Sequence, residues 1–284
     1  MKILITGANG YLGVGIVKQL LDDGNTVVAT DIILDKCDTR AELSACDLFE
    51  IDDPYSYFHC PDVVLHLAWR NGFKHNDCSH IEDLPKHHRF LEKIFASAVK
   101  RVAVMGTMHE VGFYEGSIDA DTPCTPMNLY GIAKNALRCA AAALSKAHDT
   151  PFQWLRGYYI VGNTPYGASV FSKLYQAALD GKKEFPFTGG VNQYDFLDYD
   201  EFCYQVAAAV EQDGELGIIN ICSGFPEKLS VRVEKFIRDN RLPIKLLYGA
   251  FPDRQYDSKA VWGNNKIIDR IVKEKVTKEC KLKF

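Results

Sequence analysis

The sequence predicts an α/β protein, a doubly wound parallel sheet carrying a small C-terminal lobe. Two observations carry that expectation. Short β-rich runs alternate with longer helix-compatible segments over residues 1–160, and a strand followed by a helix must cross the sheet to pair in parallel, which covers both faces. The bend Thr6-Gly7-Ala8-Asn9-Gly10-Tyr11-Leu12-Gly13 joins the first such run to the first helix, where a parallel sheet places its ligand.

Lys2–Thr6 reads as a buried strand and Tyr11–Asp23 as an amphipathic helix with Ile16, Val17, Leu20 and Leu21 inward. Gly24-Asn25 supplies the turn into a second strand, Thr26–Thr30. Asp62–Leu67 and Arg101–Met105 read as further strands, separated by a helix through Leu84–Val99. Asn128–Ala147 is rich in alanine, the best helix former, and Phe152–Tyr159 reads as another strand. Past Ile160 the pattern breaks at Gly162, Pro165, Gly167, Gly181, Pro186, Gly189 and Gly190. Residues 1–160 are therefore expected to form the main domain, 161–190 and 223–284 the small lobe, and 191–222 a return to the main sheet.

Composition narrows the class. Of 284 residues, 47% are apolar and 25% charged, with a formal charge of −4; such a chain can bury enough surface to offset its entropy and is not disordered. No basic stripe dominates, so neither nucleic acid nor an anionic membrane is an expected partner. The lysine-rich end, Lys273 to Lys283, is interrupted by glutamate and reads as a solvated helix. Nine scattered cysteines without a C-x-x-C pair suggest neither a disulfide framework nor a zinc cage. With no secretory or membrane-spanning run, the expected home is the cytoplasm.

In the bend, Gly7, Gly10 and Gly13 divide three tasks: a tight turn, close approach of backbone to a pyrophosphate, and close packing of helix on strand. Asn9, Tyr11 and Leu12 share that bend, making 7–13 a candidate dinucleotide site. Asp31 ends the second strand about twenty residues on, where a carboxylate accepts from adenosine ribose hydroxyls and repels a 2′-phosphate. This favours NAD; Lys36 or Arg40 leaves NADP open.

Tyr130 and Lys134 leave one helical face at i, i+4. An ammonium and a positive nicotinamide ring both favour phenolate, so the tyrosine is expected to titrate nearer working pH and to exchange a proton with a carbonyl or carbinol oxygen. That spacing alone is common on helix surfaces; the glycine bend gives it meaning. Thr107, just past the strand Arg101–Met105, is placed to hydrogen-bond the same oxygen. Trp69 and Arg70 follow the strand Asp62–Leu67 at the same edge, where they either shape a substrate pocket or pack its rim. His66 reads as a structural histidine, and His75, His80, His87 and His88 as exposed residues rather than metal ligands.

Together T-G-x-x-G-x-x-G at 6–13, Asp31, Asp47-Leu48, His66-Leu67-Ala68, Thr107 five residues before Gly112, and Y-x-x-x-K at 130–134 resemble an extended short-chain dehydrogenase/reductase. The resemblance is to the NAD-dependent epimerase/dehydratase family, which has a Rossmann fold and mostly modifies nucleotide-diphosphate sugars. It implies Asp47 and Leu48 beside the adenine, Leu67 and Ala68 beside the pyrophosphate and ribose, Lys134 on the nicotinamide ribose, and a homodimer through the helix carrying Tyr130. Departures narrow the chemistry. Sugar 4,6-dehydratases of the family carry Thr-Asp-Glu where Thr107-Met108-His109 stand, and Glu110 is one position out of register. Tyr159 occupies the asparagine position of the epimerases and is similar to deoxysugar 4-ketoreductases of the dTDP-4-dehydrorhamnose reductase kind. Tyr194-Asp195-Phe196 lacks the arginine of R-D-F, and Arg254 either grips the diphosphate in its place or pairs with Asp253 or Asp257. The implied function is hydride transfer at C4 of a nucleotide-diphosphate sugar in the ketoreductase manner. A 4-epimerase with tightly bound NAD and a non-catalytic dinucleotide-binding regulator are the alternatives.

Overall fold

The computed structural model describes residues 1–162, 169–252 and 258–281. Chain order begins β1 (Lys2–Thr6), α1 (Tyr11–Asp22), β2 (Thr26–Asp31), β3 (Glu42–Ala45), α2 (Pro54–Tyr57), β4 (Val63–His66), α3 (Ser79–Glu82), α4 (Leu84–Phe95) and β5 (Arg101–Thr107). There follow β6 (Gly116–Ile118), α5 (Leu129–His148), β7 (Phe152–Gly157), β8 (Tyr159–Val161), α6 (Val170–Leu179), β9 (Glu184–Pro186), β10 (Gln193–Asp198), α7 (Tyr199–Glu211) and β11 (Gly217–Ile221). The last elements are β12 (Pro226–Lys228), α8 (Leu229–Asp239), β13 (Lys245–Leu247), β14 (Ala260–Gly263) and α9 (Lys266–Lys281).

Seven strands pair in parallel in the order β11-β7-β5-β4-β1-β2-β3. Winding reverses between β1 and β4, the switch point at which open parallel sheets bind ligands. Because successive side chains alternate across a strand, each strand feeds two cores. Ile3, Ile5, Val63, Leu65, Ala103 and Met105 join Ile16, Val17 and Leu20 of α1 and Phe202 and Val206 of α7. Leu4, Val64, Val102 and Val104 face the other way, against Phe90, Leu91 and Ile94 of α4 and Leu137 and Ala141 of α5. α5 starts cleanly because the Asn128 side chain accepts from Gly131 N–H at 2.8 Å, an N-cap.

The expected strand Phe152–Tyr159 is two strands. β7 ends at Gly157; the chain passes Tyr158 and continues as β8 in a second sheet, where β10 pairs with β8, β12 and β14, and β14 with β6. Of the segment 191–222 expected on the main sheet, α7 and β11 go there, whereas β10 belongs to the second sheet. Asp195 on β10 locks that sheet to the turn after β11, its carboxylate accepting from the backbones of Ser223, Gly224 and Gly263 and from the Ser223 hydroxyl. A separate core, with Phe171 and Leu174 of α6, Val233 and Phe236 of α8 and Phe196 of β10, organises the small lobe.

The C-terminal helix corrects one expectation. Rather than lying in the lobe, α9 sinks Ile268 and Ile271 into the main core, while the described part of the lysine-rich stretch that follows is mostly exposed, as expected. Lys275 pairs with Asp23 and Glu211, each at 2.6 Å. All nine cysteines are free thiols, and among the described residues no helix is long and apolar enough to cross a membrane.

Candidate active site

Geometry at the bend explains its glycines. Gly7 has φ +70°, a left-handed conformation, and a Cβ there would lie 2.7 Å from the Ala68 backbone. A Cβ on Gly13 would lie 2.3 Å from the Gly7 carbonyl, so only glycine lets α1 start so close beneath the strand. The helix begins at Gly10 with no side-chain cap, leaving its first N–H groups for an anion at the positive end of the helix dipole. Asp31 ends β2 beside the bend, its carboxylate fixed by the N–H groups of Asn9 (3.1 Å) and Ile32 (2.8 Å). Asn9 tethers the next loop through Asp35 and the Lys36 N–H, both at 2.8 Å. Arg40, one of the two cations that left a 2′-phosphate open, is paired with Asp22 and Asp38.

From the bend opens a cleft of about 1570 Å³, running between the main sheet and the small lobe. Gly7, Gly10, Tyr11, Leu12, Gly13, Asp31, Asp47, Leu48, Leu67 and Ala68 all line it, and so do Thr107, Tyr130, Lys134, Trp69, Arg70 and Tyr159. Its length and sequence of linings, from a carboxylate-marked end past an uncapped helix start to a tyrosine and a lysine, fit a dinucleotide. Arg254 lies outside the described residues.

Thr107 is the last residue of β5 rather than a loop residue, and its Oγ1 accepts from His109 N–H at 3.3 Å, capping a short 3-10 turn. The Tyr130 phenol shares the cleft wall with it. Lys134 is buried to 3% exposure; its Nζ donates to the Met105 carbonyl at 2.9 Å and stands 4.0 Å from the Trp69 ring centre. The expected fall in the tyrosine pKa does not occur in the protein itself. Burial pushes the phenol up to about 12, against the lowering effect of the Thr107 hydroxyl, because a desolvated phenolate is costly. Burial likewise lowers Lys134 to about 7, with the Glu110 carboxylate opposing.

Glu110 faces the core rather than the cleft. Its carboxylate takes Arg156 Nε at 2.5 Å and Trp154 Nε1 at 2.8 and 3.0 Å, and both charged side chains are fully buried. Arg70 is an exposed rim residue paired with Asp83 and Glu82. Tyr159 packs with Tyr194 and Phe196, ring centres 4.8 and 5.8 Å apart. That aromatic wall from β8 and β10 closes the lobe side of the cleft.

The histidines overturn their expected exposure. His80 and His87 are buried, at 1% and 3%. His75, His80 and His109 surround the Tyr130 ring at 5.6, 5.2 and 6.0 Å. Burial drives His87 down to about 3 and His109 to about 4, so both are neutral. His66 is structural, bonded to Thr6 Oγ1 (2.8 Å) and His87 (2.9 Å). The spacing Leu84, His87, Leu91, Ile94 already put His87 on the apolar face of α4; nothing local marks His75 or His109.

Comparison with known proteins follows the same lines. The sequence model of the NAD dependent epimerase/dehydratase family matches residues 3–222. The chain is 42% identical over 273 residues to dTDP-6-deoxy-L-talose 4-dehydrogenase (NAD(+)) of Aggregatibacter actinomycetemcomitans, covering 93% of this chain and 99% of that protein. Among solved structures, UDP-glucuronic acid 4-epimerase from Bacillus cereus, in complex with UDP-glucuronic acid and NAD, superposes with a TM-score of 0.81 at 20% identity, covering 96% of this chain and 93% of that one. UDP-glucose 4-epimerase from Thermotoga maritima, with UDP-glucose, superposes with a TM-score of 0.80 at 20% identity over 95% and 92%. These two share the fold.

Proposed function

The chain belongs to the NAD-dependent epimerase/dehydratase family, and on that footing we propose that it is an enzyme moving hydride between NAD and C4 of a nucleotide-diphosphate sugar, as a 4-dehydrogenase or, in reverse, a 4-ketoreductase. One observation carries the reading: Thr107, Tyr130 and Lys134 meet in the wall of the cleft into which the glycine bend opens. The Aggregatibacter relative, whose name specifies a 4-dehydrogenase using NAD(+), supports both the carbon and the cofactor. The carboxylate of Asp31, set where a 2′-phosphate would be repelled, agrees with NAD. Glu110 is committed to Arg156, which leaves no acidic pair beside Thr107 for water elimination.

Bound along the bend and Asp31, with Lys134 on its ribose, NAD supplies the hydride acceptor or donor. The protein's own residues manage the oxygen at C4. In oxidation the C4 hydroxyl gives its proton to the Tyr130 phenolate as the C4 hydrogen leaves with its electron pair; in reduction the phenol returns that proton to the former ketone oxygen. Burial keeps Tyr130 protonated in the free site, ready to donate, while the Lys134 ammonium and an oxidised nicotinamide ring favour the phenolate that oxidation needs. The Thr107 hydroxyl, in the same cleft wall as the phenol, orients the same oxygen and steadies developing charge.

The test is NADH formation from dTDP-6-deoxy-L-talose and NAD+, for the wild type and for Tyr130→Phe. The wild type is expected to produce NADH, and Tyr130→Phe to turn over about 10²–10⁴-fold more slowly while keeping its NAD+ affinity. Conversion to the C4 epimer with NAD retained and no net NADH identifies an epimerase instead. Stoichiometric NAD+ binding with no turnover across nucleotide-sugar substrates identifies a binding protein.

A further inference from the structure

Trp69 makes more contacts than a pocket wall requires. Its indole centre lies 4.0 Å from the Lys134 Nζ, and the face of an indole attracts a cation. The ring is fixed at its edge and on its face. Its Nε1–H donates to His80 Nδ1 at 3.0 Å; an indole nitrogen only donates, so Nδ1 accepts. The Lys74 carbonyl only accepts, so His80 Nε2–H donates to it, also at 3.0 Å. One tautomer of His80 satisfies both bonds. His87 stacks on the indole with ring centres 4.5 Å apart and is tied through His66 to Thr6, the residue that opens the glycine bend. Thr6 Oγ1 in turn accepts from the Ala68 N–H at 3.3 Å. A series of bonded and stacked side chains therefore runs from the bend to Lys134.

From this arrangement we infer that Trp69 is a positioning residue for Lys134: its indole face holds the buried ammonium charged and in place, and His80 and His87 hold the indole. The inference rests on the reading that Lys134 meets the bound dinucleotide. Burial works against charge on Lys134 and brings it to about 7. The groups facing it are Glu110 from the turn after β5, His66 from β4 and His87 from α4, with Tyr130 one turn earlier on α5 and the Met105 carbonyl bonded to its Nζ. Neither histidine favours an ammonium, whereas the Glu110 carboxylate, itself engaged by Arg156, and the Met105 carbonyl do. The indole face, 4.0 Å from Nζ, adds to both in favouring the charged form.

The test labels lysine with 13C at Cε and follows the Lys134 resonance through a pH titration, assigned by its loss in Lys134→Met. Trp69→Leu and Trp69→Met, both without an aromatic face, are expected to move the Lys134 midpoint down by about one pH unit. Trp69→Phe, which restores a face without the N–H, should recover part of that shift. NAD+ affinity by calorimetry should fall further in Trp69→Leu and Trp69→Met above neutral pH than below it, where the ammonium survives without the indole. Midpoints equal to wild type, or an affinity loss equal at both pH values, would mean that Trp69 only packs, and would overturn the inference. Should Trp69→Leu not fold, Trp69→Met gives the same readout with bulk closer to the original. Absence of NAD+ binding by the wild type would defeat the proposed function and leave the midpoint comparison standing as the test of Trp69.

Discussion

Glu110 and Arg156 are a costly pair to disturb, because neither reaches water. Arg156 also donates to the Asp119 carbonyl at 2.9 Å, so the guanidinium joins the turn after β6 to the floor of the site. Burial raises the Glu110 pKa while Arg156 and Trp154 oppose it; the pair persists because each charge satisfies the other. Removing one partner strands the other, a loss of about 3–5 kcal/mol. Arg156→Met is expected to lower unfolding free energy by that amount in urea titration, and a loss of under about 1 kcal/mol would show that the pair is hydrated. Its position also sets the site: neighbours in a 3-10 turn diverge by about a third of a circle, so with Glu110 inward, His109 faces the cleft. This is where sequence reading of the site ran out. Tyr130, Lys134 and the glycine bend were legible because one helical turn or one loop places them. Which way Glu110 points, and that His75, His80 and His109 gather on Tyr130 from separate segments, depend on contacts across the fold that local spacing does not encode.

The contact of α1 with β1 shows the same division among elements. A methyl at position 13 would sit 2.3 Å from the Gly7 carbonyl and 2.5 Å from that of Ala8, both backbone atoms that cannot swing aside. Gly13→Ala must therefore push α1 off the bend, with a stability cost of about 1–3 kcal/mol and an NAD+ affinity loss of tenfold or more, taking about 1.4 kcal/mol per decade. Calorimetric NAD+ titration and thermal unfolding measure the two, and an unchanged affinity would place the pyrophosphate elsewhere. The elements of this half were readable because β1, β4 and β5 bury both faces, giving unbroken apolar runs, and α1 carries its apolar stripe at helical spacing. β3 escaped because it is an edge strand whose residues, Glu42 to Ala45, are exposed or only half-buried. β8, β12 and β14 escaped because three- and four-residue strands carry too few side chains to show a period; Asp195 and its backbone partners hold them, a tertiary device. α9 hid its core contact behind a lysine-rich composition, although Ile268 and Ile271 stand at i, i+3.

For the molecule as a whole, the buried imidazoles make acid the vulnerable direction. His87 at about 3 and His109 at about 4 are lowered first by burial, then by the charges of Lys134 and Lys86 on the former and of His75 on the latter; His66 is lowered as well. An unfolded histidine binds its proton near pH 6.5. Between the folded value and about 6.5 the unfolded chain holds protons that the folded one refuses, so unfolding free energy rises with pH across that window and is lost as pH falls through it. Each such histidine contributes a slope of up to about 1.4 kcal/mol per pH unit. Lys134 acts in the same sense at higher pH, its folded value of about 7 lying below the unfolded 10.5. Tyr130 acts in the opposite sense above pH 10, where its folded value of about 12 makes the native state hold the proton longer. Glu110 and Asp195, raised by burial, retain protons in the folded state and so subtract from the histidine slope just above the usual carboxylate range. His87→Phe isolates the histidine contribution. It lowers stability at every pH by orphaning the His66 Nε2, but it also removes one titrating group, so the slope of unfolding free energy between about pH 4.5 and 6 should flatten by about 1.4 kcal/mol per pH unit. Urea unfolding at stepped pH reads that slope directly. A parallel displacement of the two stability curves would show that His87 is protonated in the folded protein, and with it that the imidazole series behind Trp69 is not neutral.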